Sequence, residues 1–523
     1  MLTKKTISLV FCLFLLLTLT PADTGAATTH PSPTWSPEVL YNQHPAFQIF
    51  REISEIPRCS GNEQAFADWI IFWAAERGWS SQQDSAGNLL VHVSASPGLE
   101  SADTITFQCH LDMACVDTAG NRLRDDAFPL KLVREGDWLS AEGTTLGADN
   151  GIAIAVILTL AEREDHGPFK LLFTTGEEVG IVGASHLDLD ISERMINLDN
   201  EFSGTSIIGS AGYVFTRSTR SLYYNVKAPA ENSWEITVNG LTGGHSGVEI
   251  YPERGNAAKI LARVLDKAFF YPNHFSMLGD IQVKGAVNAI PKTATAEIWV
   301  AYLDSNGIEE RLRPIRSELK KEFASSDSNL AIIFRSSSRT EFMADEVAHD
   351  VINFLLEMPD GVISMSLDLE DVPYTSSNVG VVKIENDSLV VEILSRSFSD
   401  DDLSCMKMEI DRICQSHSAT VEFPVESSGW EPNPDSYLLQ VAQKTWGECV
   451  GENLKLVAVH AGLEAGAIQN RCEILFPNRI MDVISLGPQI EKSHTSDERA
   501  SITSVVQLYN FMKVFVLELV HEN

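Results

Sequence analysis

Basic residues are scarce in this chain: 39 Lys and Arg stand against 72 Asp and Glu, a formal charge of −33 over 523 residues. Such a surface repels a phosphate backbone instead of releasing its counterions, so nucleic acid is excluded as a partner. Net charge of this size also keeps soluble copies apart. Cysteine is sparse too, with eight in all and no Cys-x-x-Cys pair. That absence removes a thioredoxin-like redox motif and a zinc ribbon. Setting aside Cys12 leaves seven, an odd number in a large chain, which predicts buried thiols and not a covalent framework. No Gly-x-Ser-x-Gly elbow occurs, which disfavours a serine hydrolase.

What is present begins with a basic and apolar opening. Lys4 and Lys5 precede an uncharged, largely apolar run at 7–19, then Pro21 and the small residues 25–27. The run is shorter than the roughly 20 residues needed to cross hydrocarbon, so it reads as a signal peptide over 1–27 and not as an anchor. Leu9, Val10 and Phe11 before Cys12 lack the small residue of a lipoprotein site. This opening predicts a periplasmic or secreted protein, with no stable membrane span once the signal is removed.

Residues 28–37 are rich in Thr, Ser and Pro and read as a tether. From 36 to 212 apolar strands at 89–94, 104–109, 169–174 and 194–198 alternate with helical stretches at 63–77 and 151–163. That rhythm predicts an α/β layer domain. From 213 to 428 it changes to a β-α-β-β order, with a helix at 256–268 and strands at 234–238, 280–287 and 294–303. A weaker copy follows, with helices at 344–356 and 404–415 and strands at 361–367 and 388–394. A turn-rich linker with Pro432 and Pro434 then returns the chain to helix and strand patterns over 429–523, ending in an apolar helix at 503–519. The expected architecture is an α/β domain with a mixed sheet flanked by helices, built from 36–212 and 429–523. It is interrupted by a large α+β lid insertion of two β-α-β-β lobes.

Chemistry collects at the ends of the predicted strands. His110-Leu111-Asp112 follows one of them directly, at the sheet edge where open α/β folds bind ligands. In extended backbone residues i and i+2 share a face, so Asp112 can stand beside His110 and take a hydrogen bond from its second ring nitrogen. Asp149, in Gly147-Ala148-Asp149-Asn150-Gly151, starts an apolar helix. Alone it would read as an N-cap. Glu177 and Glu178 follow another strand, where one carboxylate can bind metal while its neighbour carries protons. Asp199 ends a further strand, and His494 sits in a polar segment before the last helix. Singly, Asp199 and His494 would be surface residues. Together, mixed His and carboxylate donors suit zinc, and more than three of them suggest two ions sharing a bridging carboxylate.

These residues resemble the co-catalytic di-zinc peptidases, in the branch of bacterial aminoacylhistidine (Xaa-His) dipeptidases, also described as cytosol non-specific dipeptidases. The resemblance runs from about residue 36 to the C-terminus. It rests on His110-Leu-Asp112-Met, Gly-Ala-Asp149-Asn-Gly, Thr-Gly-Glu177-Glu178, Asn-Leu-Asp199-Asn-Glu, Gly-Gly-His245-Ser-Gly, Asn288-Ala-Ile-Pro and Ser493-His494-Thr.

The resemblance implies two Zn2+ per chain, with Co2+ or Mn2+ accepted by the same donors. Asp149 would bridge them, with His110 and Asp199 completing one site and Glu178 and His494 the other. Asp112 would orient His110, and the Asp149-Asn150 bond would be cis. Glu177 would take a proton from an activated water and pass it to the leaving amine. In the insertion, His245 would polarise the substrate carbonyl, and Asn288 and Arg396 would grip its carboxylate, a task suited to a planar guanidinium. Gly462, in His460-Ala461-Gly462-Leu463-Glu464, would line the substrate pocket. The implied substrate is a dipeptide such as beta-Ala-His. The sequence leaves open an aminoacylase or tripeptidase with the same centre, a peptide-binding protein without catalysis, and a homodimer.

Overall fold

The computed structural model describes residues 44–270, 275–301 and 303–521. The chain divides into two compact units. One comprises residues 44–209, Pro432–Val457 and 463–521, and the other Ser210–Glu431 with Ala458–Gly462.

The first unit is built on an eight-stranded mixed sheet. Its order is Ser80–Gln83, Leu89–Val93, Phe169–Thr174, Ile105–His110, Arg194–Asn197, Asp482–Ser485, Thr205–Ser210, Lys455–Val459. The four strands Phe169–Thr174, Ile105–His110, Arg194–Asn197 and Asp482–Ser485 run parallel, so their carboxyl ends open on one edge. In register, His110 lies opposite Thr174 and Gln108 opposite Asn197. Parallel strands covered on both faces need apolar side chains on both, and Ile105–His110 is buried at every position. The helix Ala148–Ala161 is likewise buried throughout, as a helix apolar on all sides requires. The last helix, Ile502–His521, buries Leu508, Phe511, Met512 and Phe515, in line with its apolar composition.

The second unit carries a nine-stranded antiparallel sheet. In it Ser276–Val283 meets Pro373–Glu385 where Val283 pairs with Val382, and Ala331–Ser336 pairs with Ser233–Asn239. Helix Ala257–Ala268 buries Ile260, Leu261, Val264 and Leu265 against it. Helix Ser305–Glu322 and the long strands Gly212–Ser221 and Pro373–Glu385 were not among the expected elements.

One expectation about cysteine is corrected. Cys59 and Cys115 form a disulfide. A β-bridge between Cys59 and Met113 lays the two segments side by side, which the odd count could not reveal. Cys109, Cys414 and Cys472 are buried thiols, whereas Cys405 and Cys449 are exposed.

Candidate active site

The carboxyl edge of the parallel strands gathers His110, Asp149, Glu178, Asp199 and His494. His110 closes its strand, and its Nε2 lies 2.8 Å from Asp149 Oδ1 and 3.3 Å from Asp199 Oδ1. His494 Nε2 lies 3.1 Å from Asp149 Oδ2 and 2.9 Å from Glu178 Oε2. The two oxygens of Asp149 therefore serve two clusters, His110–Asp149–Asp199 and Asp149–Glu178–His494. The backbone delivers this geometry locally. Asp149 and Asn150 depart from helical dihedrals, the bond between them is cis, and His494 sits at φ 60°.

Neighbouring groups hold the donors in place. His110 Nδ1 lies 3.1 Å from the Asp112 carbonyl oxygen and 3.5 Å from the Asp112 carboxylate, so the shorter bond goes to the backbone. The Asp112 carboxylate, fully buried, instead accepts the N–H groups of Glu177 at 3.1 Å and Glu178 at 3.2 Å, and the Ser60 hydroxyl at 2.8 Å. It thereby fixes the turn that carries both glutamates. Glu178 Oε1 accepts from Ala114 N at 2.9 Å, and Asn150 Nδ2 donates to Asp199 Oδ1 at 2.8 Å. Ser60 escaped the sequence reading, because nothing in its local pattern distinguishes it from an ordinary turn residue, and Asn150 was read only as the partner of Asp149 in a cis bond.

Electrostatics and geometry agree on what such a set can hold. With Nδ1 directed at a carbonyl, His110 points Nε2 at two carboxylate oxygens, whose charges raise it well above the ordinary imidazole value against the effect of burial, so the place of that proton is one a metal cation could take. Donor atoms 2.8–3.3 Å apart approach the roughly 3.4 Å between ligands of a tetrahedral zinc with bonds of about 2.1 Å. Burial alone would raise the Asp149 carboxyl, but the His110 and His494 imidazoles hold it far below the usual range. Burial pushes Asp199 up to about 6. It also pushes Glu177 well above the ordinary carboxylate range, helped by the charges of Asp199, Glu178 and Glu464. Glu177 is thus a group disposed to hold a proton.

In the second unit, His245 Nδ1 accepts the N–H groups of Gly247 at 3.1 Å and Val248 at 3.2 Å. A ring nitrogen that accepts carries no proton, so the imidazole is neutral and presents Nε2–H as a donor. Burial and the Arg396 charge agree, lowering His245 to about 4. Asn288 ties this loop down, its carbonyl accepting Ser246 N at 2.9 Å. A Cβ on Gly247 would stand 2.1 Å from the His460 carbonyl oxygen, 3.0 Å from Arg396 Nε and 3.1 Å from His245 Cε1. The side chains of Arg396 and His245 and the backbone of His460 thus converge on a position that admits only glycine. His460 Nε2 bonds the Ser376 hydroxyl at 2.8 Å, and Gly462 follows two residues on.

The sequence profile of peptidase family M20/M25/M40 matches residues 106–518. The chain belongs to this family. It is accordingly a peptidase, a hydrolase with the mixed α/β fold of the M20 enzymes. Cytosol non-specific dipeptidase of Escherichia coli strain K12 is 31% identical over 490 residues, spanning 91% of this chain and 97% of the relative. The crystal structure of aminoacylhistidine dipeptidase from Vibrio alginolyticus matches with a TM-score of 0.85 at 28% identity, covering 92% of this chain and 98% of that one. A Staphylococcus aureus tripeptidase shares the M20 fold at a TM-score of 0.50 and 15% identity, over 91% of this chain and 98% of its own.

These findings correct the expected location. The periplasmic or secreted reading rested on residues 1–27 alone, while the E. coli relative, matched over 97% of its length, is named as a cytosol enzyme. A basic, apolar opening is a signal of composition read apart from the rest of the chain. Those residues lie outside the described ones.

Proposed function

We propose that this M20 peptidase is a metal-dependent dipeptidase that holds two divalent ions, zinc in the first instance, in the clusters His110–Asp149–Asp199 and Asp149–Glu178–His494. The observation that carries the reading is the divided carboxylate of Asp149, one oxygen facing each imidazole. Two ions bound there would supply a Lewis acid for the peptide carbonyl and a water of lowered pKa.

The chain's own residues do the rest. Glu177 takes the proton of the attacking water as the carbon–oxygen bond forms, and returns it to the amine nitrogen as the carbon–nitrogen bond breaks. The Asp112 carboxylate keeps Glu177 on station through its backbone N–H, and the Asp112 carbonyl fixes the His110 ring. His245 offers Nε2–H to the carbonyl oxygen. Arg396 and Asn288 hold the substrate carboxylate, and Gly462 leaves room for its side chain. A dipeptide ending in histidine is the favoured substrate, supported by the likeness to an aminoacylhistidine dipeptidase.

Hydrolysis of a panel containing beta-Ala-His, Gly-His, tripeptides and N-acetyl amino acids tests this, before chelation, after it and after zinc return, with Glu177→Ala as control. Chelator-sensitive dipeptide cleavage, greatest for C-terminal His and lost in Glu177→Ala, is expected. Cleavage confined to tripeptides or acylated amino acids would move the enzyme to another branch of the family. Two bound ions without turnover of any substrate would make it a binding protein.

A further inference from the structure

Two buried charged residues outside the donor set grip the backbone that carries it. Glu498 is 2% exposed, and its carboxylate accepts four consecutive backbone N–H groups. Oε2 takes Leu146 at 2.8 Å and Gly147 at 2.9 Å, while Oε1 takes Ala148 at 2.8 Å and Asp149 at 3.2 Å. Arg58, 1% exposed, grips the other side of the same loop. Its Nη2 donates to the Gly147 carbonyl, and its Nη1 donates to the carbonyls of Leu111 at 3.1 Å and Asp112 at 3.0 Å.

Burying an ionised group is costly unless its hydrogen bonds are replaced, and both residues replace theirs with backbone groups of the donor-bearing loops. The Asp112 carbonyl that takes Arg58 Nη1 also takes His110 Nδ1, at 3.1 Å. Arg58 thus reaches His110 through a shared oxygen. Glu498 lies on the segment that carries His494, so that one segment holds Asp149 twice, at its backbone nitrogen and at Oδ2. Room for this grip was reserved: a Cβ on Gly147 or on Gly151 would stand 2.5 Å from Arg58 Nη2.

We infer that Arg58 and Glu498 are positioning residues that set the spacing of the two ion sites, by clamping the Asp149 loop between the His110 turn and the His494 segment. This rests on the assignment of the two clusters as ion sites. Glutamine at 498 keeps the shape of glutamate but exchanges one acceptor oxygen for an NH2 group facing N–H donors, so the clamp opens on one side.

The test is calorimetric titration of the metal-free protein with Co2+, followed also by the visible d–d absorption of the bound ion. Circular dichroism and melting of the metal-free protein run in parallel. For Glu498→Gln the expected result is a folded protein with Co2+ affinity reduced about 10- to 100-fold, the range seen when outer partners of metal ligands are lost. An altered d–d spectrum and a fall in kcat with KM little changed should accompany it. Wild-type affinity and spectrum, with only a lowered melting temperature, would overturn the inference, since that is all a structural role predicts. Arg58→Lys keeps the charge while losing the fork, and decides the matter if Glu498→Gln does not fold: weaker Co2+ binding supports the clamp and unchanged binding overturns it. Failure of the wild-type protein to bind Co2+ would defeat the ion-site assignment and this inference together. Wild-type binding with unchanged variants would defeat the inference alone.

Discussion

Asp149 Oδ1 lies 2.8 Å from His110 Nε2, while Asp149 Oδ2 lies 3.1 Å from His494 Nε2. One carboxylate therefore joins the early part of the chain to the late part. Replacing it by an amide removes one donor oxygen and the charge that both imidazoles face. Asp149→Asn is expected to bind at most one zinc per chain and to lose at least about 100-fold in kcat, as loss of a principal metal ligand should. Zinc content after gel filtration, measured beside dipeptide turnover, checks this.

Glu177 has no place in either donor cluster. Glu177→Gln should keep both ions and bind substrate with KM within a few-fold of wild type, while kcat drops about 10²- to 10⁴-fold, the worth of a positioned acid–base group. An equal loss in KM and kcat, or loss of zinc, would assign it a different role.

Acid should weaken the second unit through its histidines. His460 is lowered to about 3 by burial, then by Arg396 and His245, and His245 to about 4 by burial and Arg396. Both values lie below the ordinary imidazole value near 6.5, so the unfolded chain binds the proton first. Their neutral forms contribute full stability above pH of about 6.5, and that contribution is lost as pH falls through the folded values. His460→Gln, compared with wild type in the metal-free state, should flatten the decline of melting temperature between pH 7 and 4. Parallel pH profiles for the two proteins would refute this.

The Cys59–Cys115 bridge closes a loop of 56 residues around the His110 turn. A cross-link of that length contributes about 2–4 kcal/mol. Cys59→Ala with Cys115→Ala should lower the denaturation midpoint accordingly. The loss of activity should be smaller than in Glu177→Gln, because neither cysteine belongs to the two clusters. Denaturant melts with and without reductant give the wild-type comparison.

Some of the residues that the structure brings together leave a trace in the sequence, while Asp149, Asp199 and His494 were singled out only in combination and by the family motifs. His110 and Glu178 follow apolar strands, where a charged residue has no reason to stand unless the sheet edge uses it. The two residues that clamp the set leave none. Arg58 and Glu498 act on backbone groups, and Glu498 meets Ala148 across 350 positions of chain. Glu464 is similar: its fully buried carboxylate accepts from Gln108 Nε2 at 2.6 Å and Thr174 Oγ1 at 2.7 Å, bonds that only the sheet brings together. Helix Ser305–Glu322 is a different kind of miss. Ile308, Leu312, Ile315 and Leu319 keep helical spacing and are buried, but Pro314 and the many charged residues obscured a thin apolar stripe. The paired cysteines were hidden by arithmetic, since an odd total says nothing about any one pair.

The order in which the donors are made has its own consequence. His110, Asp149 and Asp199 all precede Ser210, where the second unit begins, whereas His494 comes after that unit is complete. Until synthesis is nearly finished, a growing chain lacks both His494 and the Glu498 grip on the Asp149 backbone. A product that ends before residue 494 therefore lacks a member of the second cluster and the outer grip on the residue that both clusters share.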